Sequence, residues 1–336
     1  MNHFNLSFLG FGNVGRALAR WLQEKRATLR DQYDLEWRIT GVTSRRLGWL
    51  VNSDGFDVGR LLTGNFDSPA TAPGFHEWLA ASRANVMFET SSLDPQTGQP
   101  ALDYIRAALK AGVNVVTANK GPVVHGYREL RELAANYGKH FRFEATVMGG
   151  APIFSLFRET LPAANLISFR GLLNSTSNLI ITEMEEGRTF DEAVKKAQDI
   201  GLAETDPSND IDGWDASVKL AALATALMES PTTPQQVDRA GIRGLDAEQV
   251  RRARADGHPF KSVCRLERIE GRVVASVRLE QIPLTDPLAS IRGASSSARF
   301  VLDTLPDGLT LISHNPGPAT TAYDMLADFI NIAKSD

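Results

Sequence analysis

The chain reads as α/β: a parallel sheet with helices on its faces, followed by a second domain of the α+β kind. Three observations carry this reading. Over roughly the first 150 residues, short β-rich runs alternate with helical patterns. A glycine-rich turn joins the first strand to the first helix. From Pro152 onward helical runs mix with strands, two of them close neighbours in sequence.

Taken in order, the first part predicts strands at Asn5–Leu9, Trp37–Thr43, Val86–Thr90, Val113–Thr117 and Phe141–Thr146. Helices fall between them at RALARWLQEKRATL, ALDYIRAALKAG and YRELRELAANYG, the last two ending on a Gly suited to the left-handed C′ position. Right-handed crossovers follow from chirality. The second part predicts helices at FSLFRETL, LIITEMEEG, FDEAVKKAQDIG and DASVKLAALATALME. Its strands are Leu166–Leu172, Ser262–Ile269 and Arg272–Leu279, expected in a largely antiparallel sheet with helices on one face. An amphipathic helix, Thr320–Lys334, closes the chain after the HNPGP turn. The expected division is residues 1–140, residues 141–315, and residues 316–336 as a C-terminal helix returning toward the first domain.

At 336 residues the chain is long enough for about two domains. Lys plus Arg number 36 against 40 Asp plus Glu, a net charge of -4, so no basic field invites nucleic acid or an anionic membrane. A single cysteine, Cys264, excludes an intrachain disulfide and a cysteine-based zinc site. With no export signal at the N-terminus, a cytoplasmic location is expected. The most apolar helical stretch, Leu220 to Met228, is short of the roughly 20 residues a bilayer demands.

The glycine-rich turn is Gly10-Phe11-Gly12-Asn13-Val14-Gly15, flanked by strand and helix as a dinucleotide fingerprint requires. Gly10 permits a tight turn, Gly12 lets a pyrophosphate approach the backbone, and Gly15 allows close strand–helix packing. The helix N-terminus around Asn13 and Val14 then offers unpaired N–H groups to the phosphates. At the end of the second strand a carboxylate would favour NAD, but the sequence there is Thr43-Ser44-Arg45-Arg46. Two guanidiniums suit a 2′-phosphate, so NADP(H) is preferred, with NAD(H) possible. Thr90 and Ser91, after the third strand, complete the expected cofactor contacts, with Gly317 near the end of the chain. The fourth strand ends in Ala118-Asn119-Lys120-Gly121-Pro122, placing Asn119 and Lys120 at the carboxyl edge of the sheet, where ligands bind.

The richest segment runs from Ala197 to Leu220. A helix ends at Gly201, an acidic loop follows, and the next helix has only two charges over residues 213–228, Asp215 and Lys219. Such a helix is expected to be buried nearly all round, and its charges, at i and i+4, to be paired. A buried ion pair of purely structural purpose satisfies that. Burial disfavours an ammonium's charge while Glu204, Asp210 and Asp215 favour it, a balance that also suits an acid/base group. The six histidines show no HxH or HExxH spacing, so a catalytic zinc is unsupported. Cys264, in the alternating run KSVCRLERI, reads as a small core residue, and no GxSxG or Walker lysine motif occurs.

The motifs GFGNVG, VVTANKGPV, FEATVMGGAPI, GLLNSTSNLIITEM, AQDIGLAETDPSNDIDGWDASVKLAALA and LTDPLASIRGASSSARF, in this order, resemble homoserine dehydrogenase over about nine-tenths of the chain. The resemblance implies a Rossmann-type domain and reversible, NAD(P)H-dependent reduction of L-aspartate 4-semialdehyde to L-homoserine, on the route to threonine and methionine. It assigns Lys219 and Lys120 to proton transfer and substrate orientation. Glu204, Asp210 and Asp215 would hold the substrate's amino and hydroxyl groups, and Thr176, beside Ser175, would make a further polar contact. A monovalent cation would sit on backbone around Glu144, Val147, Gly149 and Ala151. A homodimer through the second domain's sheet is also implied. The chain departs from the family at Ser175, where Gly is usual, at Leu179, where an aromatic is usual, and at His314–Ala319, which replaces a glycine-rich run. Neither an ACT-type regulatory domain nor an aspartate kinase module is read in the chain, so threonine feedback through them is not expected. Two other readings fit the residues: a dehydrogenase of a related hydroxy amino acid or aldehyde, and a redox-inactive NADP-binding sensor.

Overall fold

The alternating run NHFNLSFL forms β1 (Asn2–Leu9) at the centre of the first sheet in the computed structural model, which describes residues 1–66 and 69–335. With β2 (Leu35–Ser44), β3 (Gly48–Val51), β4 (Ala70–Thr71), β5 (Val86–Glu89), β6 (Asn114–Thr117) and β7 (Phe141–Arg142) it gives the order β4-β3-β2-β1-β5-β6-β7. Neighbours from β2 through β7 pair parallel, while β3 turns back antiparallel on β2 and β4 on β3. Every residue of β5 and β6 is buried, as in a parallel strand covered on both faces. The chain leaves β1 to reach β2 on one side and later β5 on the other. The crevice opens at that switch point, beyond the strands' carboxyl ends.

Contacts divide the chain into two units, Met1–Pro152 with the residues from Pro318 on, and Ile153–Gly317. Residues 141–152 therefore fall in the first unit, whereas the sequence reading grouped them with the second, as part of 141–315. The reason is the helix Pro318–Ser335, whose Met325, Phe329 and Ile332 are fully buried in the first unit's core, Phe329 edge-on to Phe4 and Phe88. Its polar side grips the segment after β7: Asp328 accepts the Glu144 N–H at 2.9 Å and Asp324 that of Gly150 at 2.9 Å. This hold also explains why the expected strand Phe141–Thr146 stops at Arg142 and continues as a 3₁₀ turn, Glu144–Thr146. Asp336, the last residue of the expected third segment, lies outside the described residues. The long first helix is likewise two, Asn13–Glu24 and Arg26–Tyr33, broken at Lys25 with ψ near 5°.

In the second unit β8 (Leu166–Leu172), β9 (Asp238–Arg239), β10 (Phe260–Ile269), β11 (Arg272–Gln281), β12 (Ser296–Leu302) and β13 (Leu309–Ser313) form a sheet ordered β13-β12-β8-β10-β11-β9. All pairs are antiparallel except β11 with β9. The helices Ser175–Glu185, Trp214–Leu227 and Ala247–Ala255 pack on β10. The expected helix FSLFRETL is instead a single turn, Ile153–Ser155, widening into a π turn over Leu156–Thr160. Among the described residues no helix is long and apolar enough to cross a membrane.

One lysine lies wholly inside this unit. Lys261, 0% exposed, donates to the Asn178 Oδ1 at 3.1 Å and to the Ile291 carbonyl at 2.5 Å. The Asn178 amide in turn donates to the carbonyls of Gly293 (2.9 Å) and Ser295 (3.1 Å), and the Thr182 hydroxyl accepts the Gly293 N–H. These bonds pin the segment 291–295 to the helix Ser175–Glu185. Burial pulls the Lys261 ammonium down to about 8. The unfolded chain therefore binds more protons than the native one between pH 8 and about 10.5, so this group's contribution to stability grows as pH rises through that window. Chemical denaturation at pH 7.5 and 9.5 should show wild type gaining stability relative to Lys261→Met at the higher pH; a constant difference would contradict this.

Candidate active site

The first unit's crevice, about 900 Å³, lies over the carboxyl ends of β1, β2 and β5. Of the expected cofactor residues, Gly10, Gly12, Asn13, Arg45, Arg46, Thr90 and Ser91 line it; Val14, Gly15, Asn119, Lys120 and Gly317 do not. Gly10 has φ of 100°, and a Cβ there would stand 2.7 Å from the Thr90 carbonyl carbon. Only glycine tolerates both conditions. A Cβ on Gly15 would come within 2.9 Å of the Gly10 oxygen, so Gly15 keeps the helix Asn13–Glu24 close to the strand. Gly12 differs: a Cβ there meets no protein atom within 4 Å. A side chain at Gly12 would instead take space that the crevice leaves for a ligand. A pyrophosphate fits this backbone, at the N-terminus of a twelve-residue helix with no acidic residue in its first turn.

β2 turns directly into β3 by a hairpin with Ser44 opposite Gly48, and Arg45 and Arg46 project from it, both exposed. Neither guanidinium has an ion-pair partner among the described residues. Sequence reading missed β3, although its Trp49 lines the same crevice. Across the switch point the Thr90 hydroxyl donates to the Gly10 carbonyl at 2.9 Å. The turn after β6 is fixed by Asn119, whose Oδ1 accepts the Gly121 N–H at 3.0 Å and caps the helix that begins at Lys120. Beneath these loops lies a residue the sequence reading did not single out, Glu89, fully buried at the end of β5, where burial raises its carboxyl above the usual range. Its signal was a charge closing an otherwise apolar strand, VMFE.

The second unit assembles a different cluster. The helix Trp214–Leu227 has no exposed residue, and its two charges meet: the Lys219 Nζ is 2.7 Å from the Asp215 carboxylate. The same ammonium donates to the Leu173 carbonyl at 2.7 Å, at the end of β8. Next in the chain, Asn174 caps the helix Ser175–Glu185 through Ser177 and uses its amide to bridge Asp210 (2.6 Å) and Asp215 (3.0 Å). Asn174, also missed in the sequence, thus ties strand end, acidic loop and apolar helix together. Burial and the neighbouring Asp215 raise the Asp210 carboxyl above its ordinary range, against the pull of Asn174, Lys219 and Thr176. Thr176 is buried beside it, and the Ser175 hydroxyl is bonded to that of Ser296 at 2.9 Å. Glu204 is not drawn in: it is exposed, its backbone carbonyl held by Gln198. Cys264 is fully buried on β10, its thiol pushed up to about 12.

Around residues 144–151 the backbone lies close to buried acid. Glu144, Asp324 and Asp328 are each under 7% exposed, and burial, with Glu144 and Asp328 adding, pushes the Asp324 carboxyl up to about 8. Among the described residues no group of three or more His, Cys, Asp or Glu is arranged to hold a metal ion.

A family model described as homoserine dehydrogenase matches residues 152–330, and one described as the homoserine dehydrogenase NAD binding domain matches residues 10–144. An NAD(+)-dependent homoserine dehydrogenase from Pseudomonas canavaninivorans is 33% identical over 344 residues, covering 100% of this chain and 97% of that one. A homoserine dehydrogenase from Methanocaldococcus jannaschii is also 33% identical, over 98% of this chain and 99% of its own. The crystal structure of a homoserine dehydrogenase from Thiobacillus denitrificans is similar with a TM-score of 0.83 and 28% identity, covering 99% of this chain and 74% of that one.

The two glycines should separate on substitution. Gly12→Val should unfold within about 2 °C of wild type yet lose at least about tenfold in nicotinamide dinucleotide affinity, because the added atoms meet ligand space only. Gly10→Ala should cost stability itself, about 2–4 kcal/mol by denaturant titration. Equal thermal shifts in the two variants would contradict this assignment.

Proposed function

Because the chain belongs to the homoserine dehydrogenase family, we propose that its second unit holds L-homoserine or L-aspartate 4-semialdehyde on the Asn174, Asp210, Asp215 and Lys219 cluster, while the first unit holds the dinucleotide. The single observation that carries this reading is the half-buried Lys219–Asp215 pair, bridged by Asn174 to a second carboxylate, Asp210. The bound nicotinamide supplies or accepts the hydride. The protein's part is the proton and the grip on the substrate. Lys219 stabilises the oxygen that gains charge during reduction and gives it a proton; in the reverse direction it takes the proton from the hydroxyl. Asp210 and Asp215 together outnumber the lysine by one negative charge, which suits an additional ammonium, the substrate's amino group. Thr176 and Glu204 add contacts, and Lys120 orients the substrate. Holding both polar ends turns binding into orientation of the reacting carbon.

On the cofactor side, Arg45 and Arg46 follow β2 where NAD-preferring sites carry a carboxylate, which favours NADP(H) with NAD(H) as a weaker alternative. The NAD(+)-dependent relative supports the opposite preference. A monovalent cation would rest on the backbone of Glu144, Val147, Gly149 and Ala151, where the nearby buried acids favour positive charge. A homodimer through the second unit's sheet and a cytoplasmic location complete the proposal, with residues 1–140 as the core of the dinucleotide domain.

Two measurements test this. Lys219→Ala should lower kcat for homoserine oxidation by a factor of about 100 or more; near-normal turnover would remove the assignment, and wild-type preference for another hydroxy amino acid would remove the substrate. Arg45→Glu with Arg46→Glu should lower kcat/KM for NADP by at least about tenfold and leave that for NAD nearly unchanged. A wild-type preference for NAD would overturn the NADP reading.

A further inference from the structure

β5 and β6 end in register, Glu89 opposite Thr117, at the carboxyl edge of the first sheet. Glu89 is 0% exposed, and among the described residues it forms no ion pair. A carboxylate so placed is costly unless donors surround it. It has three. The Ser91 N–H (2.8 Å) and hydroxyl (2.5 Å) donate to Oε1, and the Thr117 hydroxyl donates to Oε2 at 2.6 Å. Each oxygen thus serves a different loop. Ser91 lies on the crevice wall next to Thr90, which is bonded back to Gly10. Thr117 accepts the Asn119 N–H at 2.9 Å, and Asn119 caps the helix that starts with Lys120.

We propose that Glu89 is a positioning residue: one buried carboxylate sets the crevice loop of Thr90 and Ser91 and the turn of Asn119 and Lys120 at a fixed distance, so that cofactor binding and the presentation of Lys120 depend on the same group. An apolar residue would fill the space without the cost of desolvating a charge, but it could not address two loops through two separate oxygens. The inference rests on the roles proposed above for these loops and for Lys120.

The two oxygens make the test selective. In Glu89→Gln the amide oxygen can keep both Ser91 donors, because the amide N–H₂ cannot face the Ser91 N–H. The amide then meets the Thr117 hydroxyl, and the bond reverses: the oxygen accepts the amide N–H, the hydroxyl proton loses its carboxylate acceptor, and a neutral bond replaces a charge-assisted one. Glu89→Gln should therefore bind NADPH within about twofold of wild type in a fluorescence titration and unfold at nearly the same temperature, while kcat for homoserine falls at least about fivefold. Thr117→Val should also lower kcat, and combined with Glu89→Gln it should add less than about twofold, since both act on one link, weakened by the first and removed by the second. Glu89→Leu loses both links, and its NADPH Kd should rise at least about tenfold. Wild-type kcat in Glu89→Gln, or full additivity with Thr117→Val, would overturn the proposal; so would an unchanged Kd in a folded Glu89→Leu. The NADPH titration needs no substrate. If wild type fails to turn over homoserine, the substrate reading falls while the Glu89→Leu titration still decides the positioning role.

Discussion

A carboxylate taken out of water must be met by donors, and the chemistry of this protein follows from how it meets that demand. Asp210, in the acidic loop, and Asp215, in the first turn of an almost wholly apolar helix, are brought together, where their mutual repulsion would be severe. Asn174 and Lys219 answer it from the end of β8 and from the next helical turn. The acidic loop, the strand end and the helix cannot shift independently without stranding a charge. That constraint fixes the position of the Lys219 ammonium, the group proposed above for proton transfer.

The same rule operates elsewhere with different partners. Glu89 is satisfied by hydroxyl and amide donors alone, whereas Lys261 is met by one carbonyl and an asparagine oxygen. In each case a buried polar group ties a loop to a strand or helix. Loops bearing function gain order from below, and their upper surface stays available to ligand.

Much of this was legible in the residues. The parallel sheet and its opening strand, turn and helix follow from alternation and from the glycine spacing, and the pairing of Asp215 with Lys219 follows from two charges in an apolar helix. What escaped reading depended on distant partners. Nothing local at Lys25 breaks a helix, with no Gly or Pro nearby; the run FRFEAT has strand propensity, yet Asp328, far along the chain, draws Glu144 out of the ladder. The hairpin strand β3 is four residues long, and its Arg45–Arg46 turn looks like any polar loop. Lys261 sits in an alternating segment where a lysine ordinarily faces water, and its burial is explained by distant partners, the Ile291 carbonyl and the Asn178 side-chain oxygen. Glu204 shows the opposite case: its motif is specific, yet in the free chain it stands in solvent.

Cys264 has a practical corollary. The chain's one sulfhydryl is sealed under the second unit's helices and held in its unreactive protonated form, so alkylating probes find no native target in the folded molecule. A single cysteine introduced on the surface would thus carry a fluorophore or spin label with negligible background, and the wild-type chain already serves as the labelling blank.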